Sequence, residues 1–494
     1  MSSGAIHYDE QGEGPVYRRI AESIRDQIAS GELGVGAKLP PIRSLAGDLG
    51  VNRDTVALAY ETLAEEGLVE SVVGRGTFVR GATGPDPGPA RVALAAGVDR
   101  LLEIENARPR FGAANGLVPF HSLIPDPDLY PVDDFRKAFN RAVAEGGARL
   151  FLYGEPQGHP RLREALAARF RTVGIEAEAR DLVLCHGASQ GISLALRVFA
   201  APGDQVAVET PTYHNVLATM AGQGVQPVEV PMSDEGPDLA ALERVLARPE
   251  VKAFYTIPTF HNPMGVTTGV AARRALLEVA ARFGKPVIED AFEMDLRCSG
   301  RPIAPLAALD ERGLVVHLFS FSKSLFPGAR VGSILARGRA LDGLVALKHA
   351  TDLSDSTPLQ AAMAEFLESG AYDRHLGRIR RELRRRHAAL AEALAAHMPE
   401  GTRFTRPEGG YQVWVELPFE LDTRELLADA ARAGVVFAPG SQFNADGRAS
   451  ACLRIVIAQT NEEQIRAGVE ALGEVVRAHM SAGTGARQPA SVHL

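Results

Sequence analysis

The residues with the clearest chemical potential lie in the segment FSFSKSLFPGARVG, where a lysine sits in a serine-rich turn directly after an apolar, strand-like run. Lys323 could form a Schiff base, which needs a deprotonated amine and therefore burial or nearby positive charge to lower the lysine pKa. Ser320, Ser322 and Arg330 are suitable partners for a phosphate dianion beside that lysine. Taken alone, the segment fits a solvated surface lysine equally well.

Polar residues in other segments of the same region fit one cofactor, pyridoxal 5′-phosphate (PLP). Ala188 and Ser189 begin a predicted helix after a strand, where free backbone N–H groups can bind phosphate. Asp290 ends the strand PVIED and could pair with a protonated pyridine nitrogen, an attraction of roughly 5–6 kcal/mol before desolvation. Asn262 could donate to the phenolic oxygen, and Tyr213 could stack on the ring. Each also has an ordinary structural interpretation, as a helix start, a turn cap, a turn residue or core packing.

Seven short segments, taken in order, resemble the landmarks of fold-type I, class I/II aminotransferases over nearly all of residues 113–480: YGEPQG, GASQ, ETPTYHN, HNPMG, IEDAF, SFSK and CLRIVIA. The resemblance implies that Lys323 carries PLP as an internal aldimine, with Asp290 as the pyridinium partner, Tyr213 as the stacking ring and Asn262 at the phenolic oxygen. It further implies that the phosphate is held by Ala188, Ser189, Ser320, Ser322 and Arg330.

Two residues receive a role only from this resemblance. Tyr153 is similar to the tyrosine that reaches the phosphate of the neighbouring subunit, which implies a homodimer with shared sites. Arg454, in CLRIVIA, is similar to the arginine that grips the α-carboxylate of an amino acid through a bidentate fork. A surface ion pair is the alternative interpretation of Arg454.

Two departures from the aminotransferase pattern put efficient transamination in doubt. The family usually has a tyrosine two residues after the strand-end aspartate, donating to the phenolic oxygen, and here that position is Phe292. Leu123 stands where relatives tend to place a glycine near the substrate, so we expect a narrower cavity.

A second kind of chemistry is expected in residues 15–80. An apolar face on every fourth residue from Val16 to Ile28 predicts a helix, and the next segment predicts two short helices joined by a tight turn, then two strands around Gly74-Arg75-Gly76. The run from Leu39 to Val79 resembles the winged helix-turn-helix of GntR-type bacterial regulators. The residues expected to contact DNA are Lys38, Arg43, Asn52, Arg53, Thr55 and Arg75.

The alternative is a winged helix used only for protein contacts, since residues 15–80 hold 8 Lys and Arg against 9 Asp and Glu. A further basic feature is the predicted helix from Arg374 to Arg386, which contains seven arginines. It could be a solvated or dimer-lining helix or a second DNA-contacting surface.

The elements that must position these residues follow from the chain's layout. Residues 113–480 alternate predicted helices with short apolar strands such as QVAVE, AFYTIP and VVHLFS, which favours a mainly parallel α/β sheet with a smaller C-terminal α+β subdomain. Residues 81–112, rich in Gly, Pro and Ala, are predicted to be a linker, and residues 481–494 a disordered tail. The expected fold is multidomain: an α+β winged helix-turn-helix stands before an α/β domain, which the resemblance to aminotransferases implies to be a fold-type I, PLP-dependent transferase.

Composition limits the remaining possibilities. The 494 residues carry a net charge of −8, so any DNA contact must come from a local patch. No apolar run approaches the roughly 18 residues of a membrane span, and the N-terminus has no apolar secretion signal. Three widely separated cysteines offer no metal-ligand spacing and suit a reducing cytoplasm. We therefore expect a cytoplasmic protein without a metal site.

The combination of winged helix, linker and aminotransferase-like domain resembles the MocR-type family of bacterial regulators. The resemblance implies a transcription factor that binds operator DNA, associates with the nucleoid when bound, and senses PLP or an amine or amino-acid effector through aldimine exchange at Lys323. The alternatives are a working PLP-dependent aminotransferase with an appended DNA-binding module, and a regulator whose PLP site is vestigial.

Overall fold

The computed structural model describes residues 6, 8, 14–72, 76–80, 94–107 and 116–481. Arg75, most of the predicted linker and residues 482–494 of the predicted tail lie outside this part of the chain. The chain divides into two compact units, Met1–Leu94 and Ala95–Leu494, and each is described by itself.

The first unit is a small α+β module. Three helices and a hairpin follow in chain order: α1 Val16–Ala29, α2 Ile42–Asp48, α3 Arg53–Glu65, β1 Val69–Val72 and β2 Gly76–Val79. Ile20 and Ile24 of α1 are buried together with Val56 and Leu63 of α3, as the spacing of apolar residues predicts. The strands pair antiparallel from Val69 opposite Val79, which makes the hairpin a wing beside the helix-turn-helix.

The second unit has the following helices: α4 Ala96–Ala107, α5 Val132–Gly146, α6 Pro160–Thr172, α7 Ala188–Phe199, α8 His214–Gln223, α9 Leu239–Leu246, α10 Val270–Phe283, α11 Leu306–Leu309, α12 Gly338–Asp352, α13 Thr357–Glu368, α14 Ala371–His397, α15 Leu427–Arg432 and α16 Glu462–Ser481. Its strands are β3 Val118–Pro119, β4 Leu182–Cys185, β5 Gln205–Thr210, β6 Gln226–Ser233, β7 Gly236–Pro237, β8 Val251–Thr256, β9 Val287–Asp290, β10 Val315–Ser320, β11 Gly332–Leu335, β12 Arg403–Phe404, β13 Gln412–Glu416, β14 Val435–Val436, β15 Ala438–Pro439 and β16 Cys452–Val456.

An eight-stranded sheet in the order β4-β11-β10-β9-β8-β5-β6-β7 forms the centre of the second unit. The ladders from β10 through β9, β8 and β5 to β6 are parallel, whereas β11 and β7 run antiparallel to their neighbours. Every residue of β4, β9, β10 and β11 is buried, as a sheet covered on both faces requires. The predicted mainly parallel sheet is confirmed.

A smaller antiparallel sheet, in the order β12-β13-β16-β15, lies in the C-terminal part of the unit, where α14 and α16 pack against each other. Trp414 of β13 stands opposite Arg454 of β16, so both side chains project from the same face of this sheet. This register aims Arg454 away from the core that Leu453 and Ile455 fill on the other face.

Helix α4 lies inside the range predicted to be a linker and packs on α8. The packing is close because a Cβ on Gly97 would lie 2.7 Å from the carbonyl oxygen of Gly222, and one on Gly222 would lie 2.7 Å from Leu101 Cδ1. The Gly- and Ala-rich composition that suggested a linker is here the composition of a tight helix–helix contact. The end of the predicted linker therefore belongs to the second unit.

The arginine-rich helix α14 is largely fastened to its own unit. Four of its seven arginines donate to main-chain oxygens: Arg374 to Ser369 at 3.2 Å, Arg380 to Asp295 at 2.8 Å, Arg384 to Cys298 at 2.6 Å and Arg386 to Ala458 at 2.7 Å. Neither interpretation of the arginine run included this role. Arg374, Arg378, Arg381 and Arg385 are exposed. Among the described residues, no helix has the length and apolar character needed to cross a membrane.

Candidate functional site

The predicted cofactor residues meet at one edge of the large sheet, where the carboxyl ends of its parallel strands lie together. Asp290 ends β9 and Ser320 ends β10, while Tyr213 and Asn262 follow β5 and β8 by a few residues. Open α/β sheets bind ligands at this edge because the loops that leave adjacent strands converge there. Lys323 follows β10 by three residues, which places its amine among them.

The amine of Lys323 is held by one main-chain contact. Its Nζ donates to the carbonyl oxygen of Leu123 at 2.6 Å. Burial lowers the pKa of Lys323 below its usual value, and the positive charges of Arg454 and Arg330 lower it further, against the opposing effect of Glu293. A lysine with a lowered pKa supplies the neutral amine that Schiff-base chemistry requires.

Asp290 is a buried carboxylate with one oxygen still to be satisfied. Its Oδ2 accepts the hydroxyl hydrogen of Tyr255 at 2.7 Å, whereas Oδ1 has no hydrogen-bond partner among the described residues. Burial raises the pKa of Asp290 to about 6, although the hydrogen bond from Tyr255 acts in the opposite direction. A buried, unpartnered acceptor at this edge fits the protonated ring nitrogen of PLP, which would compensate the buried charge.

Small residues and a cation surround the expected phosphate position. Gly187 has φ 78° and precedes Ala188 and Ser189, the first two residues of α7, so the N-terminus of that helix is open to an anion. Arg330, at φ 49°, donates from Nη2 to the carbonyl oxygen of His186 at 2.6 Å, and its guanidinium lies beside Gly187.

The two predicted serines lie at the end of β10. The Ser320 and Ser322 hydroxyls are 3.1 Å apart, and the main-chain N–H of Ser322 donates to Ser320 Oγ at 3.2 Å. This arrangement, together with the open N-terminus of α7, suits a doubly charged phosphate.

Arg454 is buried, with 4% of its surface exposed. It donates from Nη1 to Asn262 Oδ1 at 2.8 Å and from Nη2 to the His121 carbonyl at 3.1 Å, and its Nε has no partner among the described residues. Its guanidinium lies 4.9 Å from the ring centre of Phe443. Burial lowers the pKa of Arg454 to about 10, so the group stays charged near neutrality. The contact with Asn262 links the expected carboxylate clamp to the expected phenolic-oxygen donor.

The two departures from the aminotransferase pattern lie at the site as well. Phe292 is buried among apolar side chains of the core beside the large sheet, where it offers no hydroxyl to a cofactor. The Leu123 side chain packs against two apolar cores, the one that contains Phe292 and the one that contains Leu453 and Ile455. Its carbonyl oxygen accepts the hydrogen bond from Lys323 Nζ. Tyr153, by contrast, projects into solvent with 85% of its surface exposed and is not brought to the site of its own chain.

Two site residues were missed from the sequence. Tyr255 is opposite Ile288 in the β8–β9 ladder, so its hydroxyl reaches Asp290 from the neighbouring strand, and only knowledge of the strand order reveals this. Glu293 follows Asp290 by three residues and is 1% exposed. No motif marked it, because a single glutamate after a strand is typical of a surface turn.

The predicted DNA-contacting residues of the first unit are grouped around α2 and α3. Asn52 caps α3, its Oδ1 accepting from Asp54 N at 3.3 Å, and Arg53 begins the helix with an exposed side chain. Thr55, two residues further, is half-buried, and Arg43 is exposed at the start of α2. Lys38 pairs by its backbone with Phe78 of the wing. Arg75 lies outside the described residues.

Comparison with known proteins assigns a class to each unit. Residues 124–472 match the family model of class I and II aminotransferases, and residues 16–79 match that of the gntR family of bacterial regulatory proteins. The crystal structure of a multiple substrate aminotransferase from Thermococcus profundus superimposes with a TM-score of 0.72 and 31% identity, covering 79% of this chain and 97% of that one. The fold is therefore that of the PLP-dependent class I/II aminotransferases.

Two curated relatives share both units. An uncharacterized HTH-type transcriptional regulator of Escherichia coli K12, YdcR, is 30% identical over 93% of this chain and 99% of the relative. The probable rhizopine catabolism regulatory protein MocR of Rhizobium meliloti is 28% identical over 96% of each chain. The chain belongs to the MocR-type regulators, in which a GntR-type winged helix-turn-helix is fused to a class I/II aminotransferase domain.

We expect the Asp290→Asn variant to bind PLP roughly 100-fold more weakly, because removing one partner of a buried ion pair costs about 3 kcal/mol. The wild type should lose PLP affinity as the pH falls below about 6, since Asp290 is then protonated and carries no charge for the ring nitrogen. Absorbance titrations of the cofactor-free protein with PLP measure both effects. The phosphate of PLP also titrates near this pH, but it does so for the wild type and for Asp290→Asn alike, so the variant is the matched control. If PLP affinity depended on pH in the same way in both proteins, the assignment of Asp290 as the partner of the ring nitrogen would be wrong.

Proposed function

We propose that this chain is a bacterial transcription factor that binds double-stranded DNA through its winged helix and senses PLP, or an amine or amino-acid effector, by exchange at Lys323. The observation that carries the proposal is the presence, in one chain, of a GntR-type module and of a half-buried lysine beside a buried aspartate and a buried arginine, a set suited to PLP. We place the DNA-binding domain in residues 15–80 and the PLP-binding domain in residues 113–480, both acting in the cytoplasm.

The proposed exchange replaces one bond by another of the same kind. With PLP bound, the Lys323 amine would hold the cofactor through a carbon–nitrogen bond, and the chemistry supplied would be replacement of that bond by one to the effector amine. The protons lost by the effector ammonium would pass to the lysine amine. Residues of this chain would hold the cofactor and the effector in place. Asp290 would bind the ring nitrogen, Arg330 and the α7 N-terminus would bind the phosphate, and Arg454 would bind an effector carboxylate.

A homodimer is the assembly that best uses the exposed residues near Tyr153. Phe151 and Leu152 are 64% and 68% exposed and adjoin Tyr153, and Thr357 Oγ1, which donates to the Leu152 carbonyl at 3.3 Å, holds this apolar segment against α13. A contiguous group of exposed apolar side chains favours burial against a partner. A second copy of this chain would bury them and bring Tyr153 to the partner's phosphate.

A packed route connects the cofactor edge to the segment that joins the two units. Tyr213, the expected stacking ring, is the N-cap residue of α8, and α4 packs on α8 through Gly97 and Gly222. Helix α4 is also the first helix after residues 81–93. A shift of Tyr213 on effector binding could therefore move α8, α4 and the chain that leads to the DNA-binding module, which is the discrete coupling that regulation requires.

A working aminotransferase is the second candidate, favoured by the half-buried Lys323 together with the buried Asp290 and Arg454. Its signature is conversion of the bound cofactor to the pyridoxamine form by an amino acid, reversed by a 2-oxo acid. Absence of that conversion in a protein whose bound PLP responds to amines favours the regulator.

A gel-shift titration of the promoter beside the chain's own gene tests the regulator. We expect the wild type to shift this DNA and Arg53→Ala to shift it roughly 10-fold more weakly, because one base contact contributes about 1–3 kcal/mol. Lys323→Ala should keep the shift but lose its response to PLP and amino acids. Arg312→Ala, at an exposed position of the other unit, is the control. The proposal fails if no sequence-specific shift occurs at any PLP or amino-acid concentration.

Substitutions at the exposed segment test the dimer. Leu152→Asp should sediment as a monomer, because a buried unpaired charge disfavours an apolar interface. Tyr153→Phe should stay dimeric and bind PLP roughly 10-fold more weakly, having lost one hydrogen bond to a charged phosphate. Val270→Asp, at an exposed valine of α10, should leave the sedimentation coefficient unchanged. Wild-type sedimentation of Leu152→Asp would contradict the assignment.

Gly97→Val tests the coupling route, since a Cβ at this position meets the Gly222 backbone at 2.7 Å and must push α4 away from α8. We expect this variant to bind PLP and DNA normally while its DNA affinity no longer changes when PLP or an amino acid is added. Gly343→Ala adds a Cβ inside helix α12 at an ordinary 3.6 Å from Val198 and should respond as the wild type does. An unaltered response in Gly97→Val would exclude this route.

A further inference from the structure

Glu293 is a buried carboxylate that the proposed cofactor contacts do not use. Its Oε2 accepts from Gln412 Nε2 at 3.2 Å and from Tyr411 N at 3.4 Å. Its Oε1 has no hydrogen-bond partner among the described residues, although the residue is 1% exposed. A buried acceptor without a partner costs free energy. A ligand that donates a hydrogen bond to this oxygen would remove that cost and therefore bind more tightly.

The neighbouring backbone is shaped to admit this carboxylate. Gly410 has φ 70°, and a Cβ there would lie 2.5 Å from Glu293 Oε2 and 2.9 Å from Phe260 Cβ. Gln412, which holds Oε2, also donates toward the Phe260 carbonyl at 3.4 Å. Gly410 leaves space for the Glu293 carboxylate, and the amide of Gln412 fixes its Oε2. The position of Oε1 is therefore also defined.

Tyr411 links Glu293 to the lysine segment, because its main-chain N–H donates to Glu293 Oε2 at 3.4 Å and its hydroxyl donates to the main-chain oxygen of Lys323 at 3.0 Å. Burial raises the pKa of Glu293, whereas the positive charges of Lys323 and Arg454 lower it. The sheet register explains part of this placement. Gln412 and Trp414 are two residues apart in β13, so their side chains lie on the same face of the sheet, which also carries Arg454 of β16. The carboxylate is therefore joined through Tyr411 to the main chain of Lys323, and it contacts Gln412 on the sheet face that also carries Arg454.

The two cations near Glu293 already have other partners. Lys323 Nζ donates to the Leu123 carbonyl, and this acceptor remains for the amine when an effector displaces it. Arg454 donates to Asn262 and to the His121 carbonyl, and its remaining capacity goes to the effector carboxylate. Once that carboxylate is bound, it competes with Glu293 for the charge of Arg454, so that the released Lys323 and a cation of the effector are the groups that can offset the buried Glu293 carboxylate.

We propose that the effector is an amino acid with a second amino group at the end of its side chain, whose ammonium donates to Glu293 Oε1 while Arg454 holds its α-carboxylate. The inference rests on the proposed function, since it concerns the effector of the same site. It narrows the effector to diamino acids and disfavours neutral and acidic ones, because an acidic side chain would meet Glu293 with like charge.

Matched ligand pairs test the inference. The full-length, PLP-loaded protein is titrated with ornithine against norvaline, 2,4-diaminobutyrate against 2-aminobutyrate, and lysine against norleucine, and the absorbance change of the bound cofactor gives each dissociation constant. We expect at least one diamino acid to bind roughly 10- to 100-fold more tightly than its neutral partner, the range of a charge-assisted hydrogen bond. Glu293→Gln should remove this preference while keeping the affinity for the neutral ligand.

The controls separate this inference from the proposed function. Glu365→Gln removes a buried carboxylate of α13 that pairs with Arg161 and should leave the ligand preference intact. The wild-type preference is informative even if Glu293→Gln fails to fold. Equal binding of each pair in the wild type, or an equal loss for both ligands in Glu293→Gln, overturns the inference while PLP absorbance and the DNA shift persist. Absence of bound PLP or of the DNA shift would instead count against the proposed function.

Discussion

Charged side chains buried at the carboxyl edge of the large sheet impose the constraint on which the second unit depends. Removing an ion from water costs several kcal/mol in a protein interior unless a partner compensates it. Burial is the first cause of every shift at this edge: it lowers the pKa of Lys323 and Arg454 and raises that of Asp290 and Glu293. Burial thus favours the neutral form of each group. A ligand of opposite charge that binds beside the group would stabilise its charged form.

The parallel strands are what make such a cluster possible. Asp290 and Lys323 come from successive strands of the sheet, whereas Arg454 arrives from the small antiparallel sheet more than a hundred residues later. Tyr255 and Leu123 then supply the hydrogen bonds that fix the carboxylate and the amine. The first unit differs in this respect, because Arg43 and Arg53 are exposed, as side chains that contact nucleic-acid phosphates must be.

Ordered motifs and apolar periodicity were sufficient to predict the parallel sheet and the winged helix from the sequence. Most of the site residues follow strand ends, and a strand end is a local signal. Tyr255 lacked such a signal, because it reaches Asp290 only through strand order. Glu293 does follow a strand end, but the local sequence does not show its burial, which depends on Gly410 and Gln412, more than a hundred residues away. Helix α4 was missed because glycines that permit close helix packing have the same composition as a linker.

The near-symmetry of the proposed exchange decides where effector specificity must come from. Breaking one carbon–nitrogen bond and forming another is close to balanced, so the covalent step at Lys323 contributes little discrimination among amines. An effector that drives a two-state regulator from mostly one state to mostly the other needs a differential affinity of about 10⁴. That preference must come from non-covalent contacts that differ between the states. The buried charges of Arg454 and Glu293 are suited to provide them, since small displacements change the strength of a desolvated ion pair steeply. In the proposed regulator, Lys323 would report that an amine has bound, while Arg454 and Glu293 would decide which amine can change the binding of DNA.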